Sequence, residues 1–559
     1  MRKQTKIAAI VSAAALLAIG ASMTSFAATG WQEEDGTWVY YNRAGEKVAN
    51  AWEYSGDNRF YLDDAGNMAT DSLIEDNDDY YYVDANGAMV RNRWVAIDNE
   101  EAGEENQPDV WWYYFQANGK AYKNTHASGN IFKKVINGKT YAFDEDGKMQ
   151  YGWVKKDDGV TNYDDNAYQE CDYYFGDEND GAMSVGWREI ALTDVADADT
   201  EQPGDSYWDS DQVRWFYFKS SGVKQTSSTN KTINGRKYGF DEWGRMIADW
   251  HAATANNADN ELSRRGSMNN ATVAATKSYA REFMYFSSPE DGARFTKGWF
   301  KVVPGYYLNY KDYDDGTDRW YYANGDGKIA AGEIKAIKGK KYAFDLKGGM
   351  ISGLALLRTN GKEISEYADS DGKYDSQESF ETTARSMGSD WGFYYFSDNE
   401  DKDGSMKTGN QRISLDGENF TFSFRKGGTR KGQGITGVNE KKYYLGGMLM
   451  TASVDNKIEL LNKNTLERVT VDKFVRDNGL VGKDVTSGKV GQANKDDVVY
   501  TYGTTGAAAS GLDLTSLTSD YVVINVSGNV VKSGSKVDGD GYKVVLDGSN
   551  RIKQIIATK

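Results

Sequence analysis

Trp31, Trp52 and Trp94 fall on one grid of 21 residues, with Leu73 in the skipped slot. Tyr40, Tyr61 and Tyr82 keep the same step, and so do Gly45, Gly66 and Gly87. Self-similarity at so short a period marks a repeat architecture, because a unit of that size cannot bury a core alone and must lean on its neighbours. Such a chain is expected to present one surface feature many times rather than a single catalytic cleft.

Strand signals fill the repeats. Aromatic runs such as Trp112-Tyr113-Tyr114-Phe115 are followed by Asn118-Gly119 or Asp146-Gly147, and such pairs supply the positive φ that tight hairpins need. Only four prolines interrupt the donors of a strand ladder, while 60 glycines serve turns. Beyond residue 94 the period lengthens. Tyr141, Tyr238, Tyr342 and Tyr443 are spaced 97, 104 and 101 residues apart, and Trp112, Trp215 and Trp320 are spaced 103 and 105. A third run ends in Tyr174-Phe175, Tyr285-Phe286 and Tyr395-Phe396. The pattern predicts a super-repeat of three hairpins, about 100 residues long. Acidic stretches at 99–109, 193–211 and 366–390 read as loop insertions, and the Ala/Asn-rich stretch 251–282 as one holding a short helix. Tryptophan disappears after residue 450. The expected fold is all-β: a solenoid of stacked β-hairpins with long insertions over 28–450, then a small β-rich domain or cap over 451–559.

The ends and the composition narrow the function. Arg2, Lys3 and Lys6 precede an apolar run at 7–19, and Ser25 and Ala27 fit a signal-peptidase site, so residues 1–27 read as a secretory leader. The mature protein is expected outside the cell, off the membrane, and held there non-covalently. Taking three basic residues with the leader moves the net charge from −17 to −20, which repels nucleic acid and tolerates cationic groups. Cys171 is the single cysteine, and His126 and His251, both read as loop residues, are the only histidines. This poverty removes Ser-His-Asp and Cys-His catalysis and most zinc sites, unless one histidine serves alone. Carboxylates suffice for a glycosidase-type pair, but no segment resembles a catalytic domain, so no enzymatic activity and no cofactor are expected. Asn399-x-Asp401-x-Asp403-Gly404 partly fits a calcium loop, yet Asn410 stands where the bidentate Glu belongs. These acids are read as turn residues.

Alternation then sorts the aromatics. In a strand Trp112 and Tyr114 point one way, Tyr113 and Phe115 the other. One pair faces the core of the stack and the other the groove between hairpins; Trp38/Tyr40, Trp215/Tyr217 and Trp320/Tyr322 repeat the arrangement. In Lys139-Thr140-Tyr141-Ala142-Phe143, Thr140 and Ala142 replace Trp112 and Tyr114, so that hairpin keeps the core face and loses the groove face. One fully aromatic groove is therefore expected per super-repeat, near Trp112, Trp215 and Trp320. Clustered indole and phenol faces hold a quaternary ammonium group with about 0.5–2 kcal/mol per contact, and also stack on sugar rings. The same rings equally serve as core filler. Repeated weak sites on one chain gain roughly 10²–10⁴-fold by avidity.

Gly30-Trp31, Gly36-Thr37-Trp38-Val39-Tyr40, Gly45 and Trp52 together resemble the choline-binding, or cell-wall-binding, repeat of Gram-positive surface proteins. Gly152-Trp153, Gly186-Trp187 and Gly298-Trp299 repeat its Gly-Trp element. The Ile136-Asn137-Gly138 and Ile233-Asn234-Gly235 versions resemble related repeats of clostridial toxins and glucan-binding proteins. The resemblance covers about 30–450 and implies a superhelical solenoid with ligand sites between successive hairpins. On this chain those positions are Trp31, Trp38, Tyr40 and Trp52, then Trp94, Trp112 and Tyr114, then Trp187, Trp215 and Tyr217, then Trp299, Trp320 and Tyr322. Arg59 and Tyr80 replace the strand tryptophan in the second and third copies, and Leu354 stands where a Gly-Trp is expected, which brings carbohydrate in beside choline as a ligand. The expectation is a secreted, non-catalytic protein of the cell wall that attaches to choline-bearing teichoic acid or wall polysaccharide. A host-glycan or glucan adhesin is the first alternative, and a wall-active hydrolase with its chemistry in 451–559 the second.

Overall fold

A computed structural model describes residues 29–125, 130–157, 159–164, 167–192, 212–252, 277–305, 308–368, 373–399, 403–502 and 514–558. The leader, His126 and the 193–211 insertion lie outside the described residues. The chain divides into two compact units, 1–247 with 288–292, and 248–287 with 293–559.

Short antiparallel hairpins make up the first unit. Gly30–Glu34 pairs with Thr37–Tyr41, Ala51–Ser55 with Asn58–Leu62, Ser72–Asp76 with Asp79–Val83, and Arg93–Asp98 with Val110–Phe115. Phe132–Ile136 pairs with Lys139–Phe143, Gly186–Leu192 with Gln212–Phe218, and Ser228–Ile233 with Arg236–Phe240. Between them, Gly152–Val154 is flanked by Thr161–Asn162 and Tyr173–Phe175. The turns explain this regularity. Asp35-Gly36, Asn137-Gly138 and Asn234-Gly235 all have positive φ at both residues, the geometry whose twist matches that of the strands it joins. After the second strand a carboxylate folds the chain back: Asp63, Asp144 and Asp241 accept the backbone N–H four residues on, at 2.7–2.8 Å.

A backbone bond stitches each returning segment to the preceding hairpin. The N–H groups of Met68, Met89 and Met149 donate to the carbonyls of Trp38, Arg59 and Trp112 at 2.7–2.8 Å. The turn glycine of the next hairpin then covers the methionine. A Cβ on Gly87 would lie 2.8 Å from the Met68 sulfur, and one on Gly119 2.6 Å from that of Met89. These turns need glycine for φ, and a side chain there would also have to push the end of the methionine aside.

The second unit opens with two such hairpins, Asp249–Ala252 with Phe283–Phe286 and Gly298–Val302 with Arg319–Ala323. Two five-stranded sheets follow. The first runs Lys340–Phe344, Glu333–Ile337, Glu363–Ala368, Gly353–Asn360, Trp391–Phe396; the second runs Gly409–Leu415, Glu418–Phe424, Met448–Leu449, Lys442–Leu445, Gly437–Asn439. Residues 451–558 add a three-stranded and a five-stranded sheet and the helix Val471–Asp477, capped by the Thr470 side chain. Leu461, Leu466 and Ile524 pack into the same core cluster as Met448 and Met450, so the hydrophobic interior continues across residue 450.

Several loop expectations change. His251 is not a loop residue: it sits in a strand opposite Met284, and burial lowers its imidazole to about 4. The 366–390 insertion contains the ten-residue helix Gln377–Ser386, whose apolar residues Phe380 and Ala384 join the core. In 251–282 the helix is Lys277–Ala280, while 253–276 lie outside the described residues. The Asp403 carboxylate is bonded to the ammonium groups of Lys340 and Lys407; residues 400–402 are not among those described. Among the described residues no group of three or more His, Cys, Asp or Glu could hold a metal ion, and no helix is long and apolar enough to cross a membrane.

Candidate functional site

Strand alternation places the aromatics as two unlike sets. Tyr113, Phe115, Phe216, Phe218 and Tyr321 are sealed. All thirteen candidate residues are half-buried: Trp31, Trp38, Tyr40, Trp52, Trp94, Trp112, Tyr114, Trp187, Trp215, Tyr217, Trp299, Trp320 and Tyr322.

Three of the grooves share one geometry. Trp94 meets Tyr114 edge-on at 5.2 Å and Tyr141 at 4.8 Å, with Phe143 at 5.8 Å. Trp187 meets Tyr217 at 5.3 Å, Tyr238 at 4.8 Å and Phe240 at 5.6 Å. Trp299 meets Tyr322 at 5.2 Å, Tyr342 at 4.8 Å and Phe344 at 5.6 Å. The strand tryptophan completes each wall: Trp215 lies 6.2 Å from Trp187, Trp320 lies 6.4 Å from Trp299, and Trp112 joins the Trp94 cluster. Register produces the repetition. Each linker tryptophan is the cross-strand partner of its tyrosine. The carbonyl of each strand tryptophan accepts the N–H of Met149, Met246 or Met350 at 2.8 Å, which pins the next hairpin with its Tyr-x-Phe against the groove.

Six of these residues were not among the candidates: Tyr141, Tyr238, Tyr342, Phe143, Phe240 and Phe344. Alternation assigns them to a core face, and they are largely buried; the core face of one hairpin is the groove wall of the hairpin before it. Their spacing, running in parallel with that of Trp112, Trp215 and Trp320, was the available signal. The cation that opens each of these strands is held by an aspartate further along: Lys139 by Asp180 at 3.1 Å, Arg236 by Asp291 at 2.7 Å, and Lys340 by Asp403 at 3.1 Å. The face thought to be stripped in these hairpins is not open. Ala142 is fully buried among Val154, Tyr173 and Phe175.

The remaining junctions depart from this pattern. Trp31 packs on Tyr40 at 5.3 Å and on Phe60 at 5.4 Å, beside the half-buried Trp38. Trp52 packs on Tyr61 and Tyr81 at 5.1 Å each and donates its indole N–H to Asp76 at 3.1 Å. Leu73 contributes no ring. Trp153 is sealed by Tyr168, brought in by the helix Ala167–Glu170, and Trp250 is bonded to the Val303 carbonyl at 2.8 Å. Leu354 occupies the tryptophan register opposite Tyr395. Burial raises the pKa of the Tyr141 phenol, so it presents a neutral ring to Trp94.

Comparison with known proteins agrees with the repeat reading. The family model of the choline-binding repeat matches residues 46–88. A curated relative, glucosyltransferase-S of Streptococcus mutans serotype c, is 28% identical over 370 residues, covering 60% of this chain and 22% of its own length. The chain thus spans about a fifth of that relative. Among solved structures, the modular autolysin LytC of Streptococcus pneumoniae, crystallised with a synthetic peptidoglycan ligand, is 16% identical over 59% of this chain and 54% of its own, with a TM-score of 0.30. Choline-binding protein F of Streptococcus pneumoniae, soaked with ipratropium, is 16% identical over 73% of this chain and 100% of its own, with a TM-score of 0.31. The choline-binding domain of CbpL from Streptococcus pneumoniae is 20% identical over 55% of this chain and 100% of its own, with a TM-score of 0.23. The chain thus contains a segment that matches a choline-binding repeat and is similar over 370 residues to a glucosyltransferase.

Proposed function

We propose that this chain is a secreted, non-catalytic cell-wall-binding protein whose hairpins wind as a solenoid and grip a choline-bearing glycopolymer through repeated aromatic notches. One observation carries the reading: the Trp94, Trp187 and Trp299 notches repeat the same ring geometry, with corresponding separations agreeing to about 0.2 Å. All three indoles keep part of their surface open to solvent. Edge-on rings in contact present adjoining electron-rich faces, and such faces take quaternary ammonium groups. The match of residues 46–88 to a choline-binding repeat supports the same ligand class.

The full chain, mixed with whole choline-containing walls, is expected to sediment with them and to be released by millimolar free choline. Failure to sediment with walls of either choline-containing or choline-free bacteria would sink the proposal. The glucosyltransferase-S relationship favours one second reading, binding of a glucan. Release by soluble glucan and not by choline would establish that reading instead. Absence of catalysis is tested by wall turbidity, which is expected to stay constant over hours with the protein present.

A further inference from the structure

The Trp52 notch follows the plan of the other three with two walls exchanged: Val83 stands where Phe143 does, and Arg59 where Trp112 does. Trp52 is the cross-strand partner of Tyr61 and is edged by Tyr61 and Tyr81, as Trp94 is by Tyr114 and Tyr141. Two residues before Tyr61, where Trp112 stands relative to Tyr114, the chain has Arg59. Its guanidinium carbon lies 4.9 Å from the centre of the Trp52 ring and 5.8 Å from that of Tyr54. The Arg59 Nε is buried without a hydrogen-bond partner, and among the described residues no carboxylate forms an ion pair with it. The Arg59 side chain as a whole is half-buried, and the two ring faces stand where a carboxylate partner would. Asp76, accepting the Trp52 indole N–H, leaves that ring still richer in electrons. A corner that holds a guanidinium without a counter-ion is built to receive a cation.

Other lysines also stand over rings, with Lys133 and Lys224 bonded besides to the carbonyls of Ser221 and Tyr168. Lys123 lies 5.1 Å from the Tyr80 ring, Lys133 4.2 Å from Tyr173, and Lys224 5.6 Å from Trp153. Among the described residues no Lys or Arg stands over Trp94, Trp187 or Trp299. Around them, Arg236 lies 5.9 Å from Tyr238 and is committed to Asp291, and Lys134 lies 4.5 Å from Phe132 and 5.6 Å from Tyr122, two rings packed in the Trp94 cluster.

We propose that Trp52 marks a latent quaternary-ammonium site plugged by Arg59, so that Arg59 sets how many ligands the chain takes. This rests on the reading of the Trp94, Trp187 and Trp299 notches as ligand sites. A tethered cation acts at an effective concentration in the millimolar range or above, enough to exclude a free ligand of weak intrinsic affinity.

Equilibrium dialysis of the full chain against choline chloride tests it by counting bound equivalents. Arg59→Trp, which restores the missing indole wall, is expected to bind one equivalent more than the wild type, and the Trp52→Ala/Arg59→Trp double variant to lose it again. Arg59→Gln, which removes the charge at similar length, is expected to gain the same equivalent more weakly, and decides the matter if Arg59→Trp fails a circular-dichroism check of folding. A wild type that binds choline, with no gain in either Arg59 variant, overturns the plug alone. A wild type that binds no choline overturns the notch reading and the plug with it.

Discussion

At the scale of single residues, packing and presentation are not rival roles for these indoles. Trp94 gives one edge to Tyr114 and Tyr141 and stays half-exposed elsewhere, so one ring is both filler and wall. The turn acids show how tightly the intervening chain is held. Burial pushes the Asp144 carboxyl up from 3.8 to about 6, against the backbone N–H of Lys148 that favours its charge. Between those values the folded chain binds more proton than the unfolded chain, so this group's stabilising share is complete below about 3.8 and is lost as pH rises through 6. The unfolding free energy of the wild type, measured by urea denaturation against that of Asp144→Asn, is expected to fall between pH 4 and 7 by on the order of 1–3 kcal/mol. A difference that stays flat across that range would remove burial as the cause. Cys171 makes the opposite kind of statement. Burial raises its thiol to about 12, so in the folded protein at pH 8 it is expected to resist iodoacetamide, and to react within minutes once urea unfolds the chain.

At the scale of the hairpin, each element is defined by its neighbours. Ala142 and Ala343 are sealed by the strands that follow them, and Phe143 by the hairpin that precedes it. Restoring the repeat's aromatic at Ala142 is therefore expected to harm the protein. Ala142→Tyr should lower the urea midpoint by the equivalent of about 1–3 kcal/mol through overpacking, although it makes the sequence more regular. An unchanged midpoint would mean that the face is open after all. This is also where the sequence stops being legible. Strand alternation separates Trp112 and Tyr114 from Tyr113 and Phe115, and the structure keeps that separation. Alternation says nothing about which neighbour covers a face, so Tyr141, Tyr238 and Tyr342 could not be placed against Trp94, Trp187 and Trp299. The sealing of Trp153 was equally hidden, because it depends on where the Ala167–Glu170 segment folds back. The turns were readable throughout, since Asn-Gly and Asp-Gly pairs report a local backbone requirement.

At the scale of the whole molecule, what matters is the number of notches that act together. Trp31, Trp94 and Trp187 belong to the first unit and Trp299 to the second. On the proposed function each notch would contribute a few cation–π contacts of about 0.5–2 kcal/mol, which would leave a single site too weak to hold a protein on a wall. Polyvalent engagement multiplies such sites by roughly 10²–10⁴, so losses should compound when notches are removed one at a time. Trp94→Ala, Trp187→Ala and Trp299→Ala are each expected to lower retention on choline-containing walls by roughly tenfold, and the triple variant to be washed off entirely. The free choline needed for release should fall with each step. Trp153→Phe, altered at a sealed junction, is expected to keep wild-type retention and serves as the control. If one of the three variants alone abolished binding while the others matched wild type, the chain would be a single-site binder carried on a repetitive scaffold. Graded loss across all three is the signature that requires the repeats to work as one surface.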